Sequence, residues 1–296
     1  MIFDIKLTNI CNSTCKFCHI WQERPIIYLN KKVIFDIVDK YRNHEFVFSG
    51  GECLLHPDFY EIVAYCSELN VNFLILSNGI GFWGIRRAIY YGAERITLSV
   101  DGYNHDVIRG AKGNLDLIKK IVKGFSKLID IRLAYTVCDD NDLEKDQQLL
   151  KELIMMGANK NVYYILVRDA EAFNIEKSFN QHRLKIPANL DRFDTMSLTS
   201  KKYLLSYSSS IKKCLSPQFY FSIFEDGNVR YCQSYNYGMI LGNVNNESIE
   251  DIIEKSRWIL DKSNSCNYKD RCWAACHRRY DVKALSELSK IRGGVL

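Results

Sequence analysis

Cys11, Cys15 and Cys18 place three thiols within eight residues, in the spacing C-x3-C-x2-C. Structural zinc sites take four protein ligands, usually with C-x2-C pairs, so this loop falls one ligand short. A [4Fe–4S] cube is held by cysteine thiolates, and three of them leave one of its four irons open to a substrate or cofactor. A second group, Cys214, Cys232, Cys266, Cys272 and Cys276, crowds the last third of the chain, while Cys53, Cys66 and Cys138 stand alone. Packing as small apolar side chains accounts for the isolated three. It does not account for three thiols on one short loop.

The elements that position this loop follow from pattern and composition. The chain has 296 residues, 47% hydrophobic and 25% charged, which fits a globular protein of one large or two unequal domains. Forty basic against thirty-five acidic residues gives a net charge of +5, and the basic residues are scattered. Nucleic-acid and membrane-surface proteins concentrate such charge, so neither partner is expected. Met1 leads straight into Ile2–Leu7 without a secretory signal, and no apolar run approaches the roughly 18 residues of a membrane span. A cytoplasmic location is expected, where thiols stay reduced and disulfides are the wrong default.

Apolar and β-branched runs predict strands at Ile2–Leu7, Glu45–Ser49, Asn72–Ser77, Arg95–Val100, Ile131–Val137 and Val162–Val167. Helical periodicity predicts helices near Lys31–Tyr41, Asp58–Leu69, Gly84–Tyr91, Leu115–Leu128 and Leu143–Met156. This alternation suits right-handed βαβ units and a parallel sheet. The cysteine loop directly follows the first strand, and chemistry in βα barrels sits at the carboxyl ends of strands. The pattern stops near Arg168, and Ala170–Ser210 reads as a polar connector. Phe219–Phe224 and Val229–Cys232 around Asp226-Gly227 predict a β-hairpin. Ser248–Asp251 has the look of a capping box opening a helix to about Arg257.

With Phe17 before the last cysteine, the loop resembles that of the radical S-adenosylmethionine (SAM) enzymes. Phe48-Ser49-Gly50-Gly51-Glu52 is similar to the family's GGE motif, and Leu76-Ser77-Asn78-Gly79 to its (T/S)NG. Ser99-Val100-Asp101-Gly102, then His105-Asp106 and Ile108-Arg109-Gly110, resembles the S-(I/V/L)-D-G…HD…IRG stretch of one branch. The resemblance implies a partial (β/α)6 TIM-type barrel whose Cys11, Cys15 and Cys18 hold a [4Fe–4S] cluster with SAM on its open iron. It implies that Gly50, Gly51 and Glu52 meet the SAM amino group, with Ser77 and Asn78 also at the cofactor. Ser99 and Asp101 would lie near its ribose and methionine parts, and Phe17, Leu166 and Val167 would flank adenine. Cys53 stands where relatives commonly carry proline after GGE, and a structural role is expected for it.

The tail resembles a SPASM or twitch-like iron–sulfur extension. Cys266-x5-Cys272-x3-Cys276 keeps part of that pattern, but Ser263 occupies the first cysteine position of the run. Two fully ligated cubes need eight thiolates. Five are present, so one auxiliary [4Fe–4S] cluster is implied, held by Cys214, Cys232, Cys276 and either Cys266 or Cys272. A four-thiolate zinc site suits the same residues. The implied domains are 1–205, the barrel with its connector from 170, and 206–296, a small hairpin-and-helix module that covers the barrel's open side.

The implied activity is reductive cleavage of SAM to a 5′-deoxyadenosyl radical that abstracts a substrate hydrogen, fed by an electron donor such as flavodoxin or ferredoxin. The SVDG…HD…IRG stretch favours epimerisation or cross-linking of a ribosomal peptide. The alternative is a dehydrogenase or epimerase of a sugar or aminoglycoside-type small molecule. With Cys11 so near Met1, no peptide-recognition domain is expected ahead of the loop. An epimerase needs a hydrogen donor, for which Cys138 and the non-ligating member of Cys266 and Cys272 are the candidates. A reading from another class is a non-enzymatic iron–sulfur or zinc protein serving as redox sensor or scaffold.

Overall fold

Six strands alternate with helices along the first part of the chain. The strands are β1 (Ile2–Lys6), β2 (Glu45–Ser49), β3 (Asn72–Ser77), β4 (Arg95–Ser99), β5 (Asp130–Val137) and β6 (Val162–Leu166). Between them run α1 (Lys31–Lys40), α2 (Phe59–Glu68), α3 (Phe82–Tyr90), α4 (His105–Arg109), α5 (Asn114–Phe125) and α6 (Leu143–Met155). A later group comprises β7 (Tyr220–Ile223), β8 (Asn228–Arg230), β9 (Ile240–Asn243) and α7 (Ile249–Ser256). The computed structural model describes residues 1–137, 140–166, 219–231 and 240–256.

The strands form one sheet in the order β6-β5-β4-β3-β2-β1-β7-β8-β9. Pairing is parallel from β6 through β1 to β7 and antiparallel from β7 to β9. The first six strands with their helices make the expected partial (β/α)6 arrangement. The hairpin expected around Asp226-Gly227 is present as β7 and β8, and it belongs to this same sheet. Parallel pairing of Ile2 with Tyr220 and Ile5 with Ile223 puts β7 on the free edge of β1. The sheet therefore does not end at the first strand.

Period-two alternation sorts β1 between two surroundings. Phe3, Ile5 and Leu7 join Ile34, Ile37 and Val38 of α1 and Phe59, Ile62 and Val63 of α2 in the main core. Ile2 packs instead with Val47 and Tyr220. Asp4 lies in that second row, buried, where Ser49 Oγ and Tyr220 OH donate to its two oxygens at 2.7 Å each. A buried carboxylate is tolerated when its oxygens are satisfied, and here the bonds join β1, β2 and β7.

Local signals account for the helix starts. Asn30 caps α1 by accepting from Lys32 N, and Asp142 caps α6 by accepting from Lys145 N. At α7, Ser248 Oγ accepts from Asp251 N and donates to the Asp251 carboxylate, the expected cap. In the hairpin turn, Gly227 has a φ of +85°, which a side chain would strain, and its N–H donates to Phe224 O. No helix among the described residues is long and apolar enough to cross a membrane.

Candidate active site

The loop after β1 carries Cys11, Cys15 and Cys18 over the carboxyl ends of the strands. Three neighbouring strand ends hold it, each through groups the sequence marks out. From β2, Gly51 N donates to Thr8 O at 2.7 Å and Glu52 N to Ile10 O at 2.8 Å. A Cβ on Gly51 would lie 2.2 Å from Ile10 O, and one on Gly50, at a φ of +140°, would lie 2.4 Å from Thr8 O. The paired glycines are thus required by the approach of the loop's own backbone.

From β3, Asn78 Nδ2 donates to Asn12 Oδ1 at 2.7 Å and to Ser13 Oγ at 3.0 Å. Asn12 Nδ2 returns a bond to Ile80 O. From α4, beyond β4, the carbonyls of Ile108 and Arg109 accept from Lys16 N and Thr14 N at 2.9 and 3.0 Å. Gly110, in the left-handed region, leaves room for Thr14, whose Oγ1 donates to Gly110 O. The loop is a clamped segment rather than a free excursion.

Cys11, Cys15, Phe17, Cys18, Gly50, Gly51, Ser77, Asn78 and Ser99 all line one cavity of about 310 Å³. Lys6, Trp21, Leu76, Arg109, Phe224 and Glu225 complete much of its wall. Two expected cofactor contacts sit behind that wall. Glu52 is buried, and its carboxylate accepts from Asn78 N at 2.7 Å and Leu54 N at 3.3 Å. Asp101 is fully buried and forms a double contact with Arg109 while also accepting from Thr136 N at 3.0 Å. Both acids brace strand ends that in turn hold the loop. The thiol of Cys53 is buried and donates to Leu76 O at 3.2 Å, in keeping with its expected structural role.

Leu166 ends β6 opposite Val137, with only its backbone described. Val167, Cys138, Cys214, Cys232, Cys266, Cys272 and Cys276 lie outside the described residues. Sequence reasoning missed the charged members of the cavity, above all Arg109. The signal available was the IRG tripeptide, which gave no indication that its arginine reaches a cysteine.

Burial pushes the Cys11 thiol up to about 11 and raises Cys15 and Cys18 as well. At Cys15 the Arg109 charge opposes that rise. Burial also lifts the Glu52 carboxyl to about 7, against the hydrogen bonds it accepts, and lowers His105 to about 4. The His105 ring accepts from Asp101 N through Nδ1, so a neutral imidazole serves the SVDG turn. Asp106 accepts from Gly113 N and Leu115 N and secures the start of α5.

Soft thiol ligands suit an iron–sulfur cluster, and all three face a cavity with space beside them. Among the described residues, no three Cys, His, Asp or Glu side chains converge on a single metal ion. A cube needs no such convergence, since each thiolate binds a different iron. The residues present therefore fit a cluster with a ligand alongside.

Comparison with known proteins agrees with this geometry. The model of the radical SAM superfamily matches residues 5–153, and that of an iron–sulfur cluster-binding domain, SPASM, matches residues 214–277. The sporulation killing factor maturation protein SkfB of Bacillus subtilis is 28% identical over 146 residues, 46% of this chain and 36% of that protein. An AdoMet-dependent heme synthase of Oleidesulfovibrio alaskensis is 25% identical over 181 residues, 56% of this chain and 46% of that protein. The chain thus spans less than half the length of these curated relatives. Native anSMEcpe with bound AdoMet and a peptide shares the fold with a TM-score of 0.66 and 18% identity, covering 98% of this chain and 97% of that one. Streptococcus suis SuiB bound to S-adenosylmethionine has a TM-score of 0.66 at 13% identity, covering 92% and 71%. The cofactors of such proteins are a [4Fe–4S] cluster and SAM, with auxiliary iron–sulfur in the SPASM domain. The chain belongs to the radical SAM superfamily.

Proposed function

We propose that this chain is a peptide-modifying radical SAM enzyme that epimerises or cross-links a ribosomal peptide. The observation that carries the reading is the convergence of the C-x3-C-x2-C loop and three strand ends on one cavity. The peptide preference is supported by SkfB, a maturation protein, and by SuiB, a structural neighbour solved with its precursor peptide SuiA. When bound, the cluster and SAM supply a 5′-deoxyadenosyl radical able to remove hydrogen from an unactivated C–H bond.

The chain's residues hold and shield that chemistry. Cys11, Cys15 and Cys18 would hold three irons of the cluster as thiolates, on a loop clamped on three sides. Gly50, Gly51, Ser77, Asn78 and Ser99 form a cavity wall that would hold SAM, and Phe17 would supply an aromatic face for it. Glu52 and Asp101 act from behind the wall, by keeping Asn78 and Arg109 in place. The barrel domain occupies 1–205, and an auxiliary module at 206–296 holds one further [4Fe–4S] cluster through Cys214, Cys232, Cys276 and one of Cys266 and Cys272. The remaining one of that pair, or Cys138, is the hydrogen donor if the outcome is epimerisation. A reduced flavodoxin or ferredoxin supplies the electron.

Anaerobic reconstitution with iron and sulfide, followed by SAM and dithionite, tests the reading. Release of 5′-deoxyadenosine by the intact chain and its loss in Cys15→Ser are expected. A spectroscopically intact cluster that releases none overturns the enzyme. With a candidate precursor peptide in D2O, a one-dalton gain marks epimerisation and a two-dalton loss marks cross-linking. Turnover of a sugar substrate, with no change in any peptide, overturns the peptide assignment.

A further inference from the structure

Arg109 is buried, lines the cavity and hydrogen-bonds a sulfur of the cysteine loop. Its Nη1 donates to Cys15 Sγ at 3.7 Å, a bond that spans 94 positions of sequence. Nε and Nη2 are both taken by the Asp101 carboxylate, and Nη2 also reaches Thr136 Oγ1 at 3.4 Å. The guanidinium carbon lies 5.2 Å from the centre of the Phe17 ring. The planar fork is therefore fixed from four directions: the end of β4, the end of β5, and two residues of the loop. An arginine keeps its charge under all accessible conditions and presents five donors in a rigid geometry.

We propose that Arg109 is a positioning residue that sets the reduction potential of the cluster on Cys11, Cys15 and Cys18. This rests on the reading that those three thiols hold the cluster. Reduction adds one negative charge to a site already bearing thiolates. A fixed positive charge stabilises that added charge, and in a buried site it does so with little screening. The N–H···S bond withdraws electron density from the Cys15 sulfur and acts in the same direction, as hydrogen bonds to cluster sulfurs generally do. Asp101 offsets part of the charge, but it bonds the far side of the guanidinium, leaving Nη1 to the sulfur. Arg109 also carries the main-chain carbonyl that accepts from Thr14 N, so the same residue fixes the loop's path and its charge environment.

The test uses the full chain, reconstituted anaerobically, and an EPR-monitored redox titration of the SAM-responsive signal. The spectrum of Cys15→Ser supplies the background of any other cluster. Arg109→Gln is expected to load iron at this site yet lower its reduced-to-oxidised ratio about tenfold at the wild-type midpoint, equal to about 59 mV for one electron. Arg109→Lys is expected to shift in the same direction by less, because one ammonium cannot serve Asp101 and Cys15 together. If Arg109→Gln fails to load, Arg109→Lys carries the test. A loaded variant with the wild-type midpoint overturns the proposal. A SAM-responsive signal that persists in Cys15→Ser overturns the ligand assignment instead, so the two failures are distinguishable.

Discussion

The amide of Glu52 donates to the carbonyl of Ile10 across 2.8 Å, so the end of β2 is bonded to the residue immediately before Cys11. Gly51 makes that approach possible, and its replacement tests the relationship directly. Gly51→Ala puts a methyl 2.2 Å from Ile10 O, a backbone atom that cannot step aside without moving the loop. The expected outcome is loss of most loop iron, measured as iron per chain after anaerobic reconstitution. Gly124→Ala is the control. It lies in α5, where a new Cβ meets the Phe82 ring at an ordinary 3.8 Å, and should stabilise the chain by about 0.5–1 kcal/mol.

Asp101 and Arg109 form a buried ion pair, and breaking such pairs is costly because one charge is left unmatched. Asp101→Asn should destabilise the chain by about 3–5 kcal/mol in urea unfolding. Asp101→Asn with Arg109→Gln should cost less than the sum of the two single changes, since residues in contact do not add. Strict additivity would mean that the pair is not coupled in solution.

Glu52 and His105 predict opposite pH trends. Burial raises Glu52 from 4.5 to about 7, so between those values the unfolded chain gives up a proton that the native chain retains. Its contribution is fully present below about pH 4.5 and is lost as pH rises toward 7. Burial lowers His105 from 6.5 to about 4, so its contribution is present above 6.5 and is lost as pH falls toward 4. Each amounts to about 3 kcal/mol at most. Relative to wild type, Glu52→Gln should gain stability as pH rises from 4.5 to 7, and His105→Gln should lose it from 4 to 6.5. Urea midpoints of cofactor-free protein across that range check both signs.

Burial holds the three loop thiols in the protonated form, while metal binding requires thiolates. Iron loading should therefore release protons and proceed more completely at pH 8.5 than at pH 6.5, about tenfold or more at limiting iron. Equal occupancy at both values would show that the thiols are already ionised before metal arrives.

Much of this arrangement is legible in the sequence because its signals are local. Glu45–Ser49 and Asn72–Ser77 are apolar runs bounded by polar turns, and β2 and β3 occupy those bounds. The cysteine spacing likewise marks the loop that lines the cavity. Contacts between distant residues leave no such trace. The helix His105–Arg109 is too short for a periodic pattern, so nothing marks Arg109 as a partner of Cys15. Glu52 and Asp101 read as groups for a bound cofactor because acids after glycines or at strand ends suit ligands. Only the fold brings the Asn78 amide and the Arg109 guanidinium close enough to claim them. The hairpin's turn is explicit in Asp226-Gly227, but the parallel partner of β7 is a choice among edges that no turn residue encodes.

That choice has a consequence for biosynthesis. β1 is synthesised well before Tyr220–Ile223, the strand that pairs one of its two edges. Such long-range pairing delays folding and leaves nascent chains open to adventitious strand partners. The thiol loop hangs from that half-paired strand until β7 has been made. The loop's finished setting for iron is therefore complete only once β7 has paired with β1.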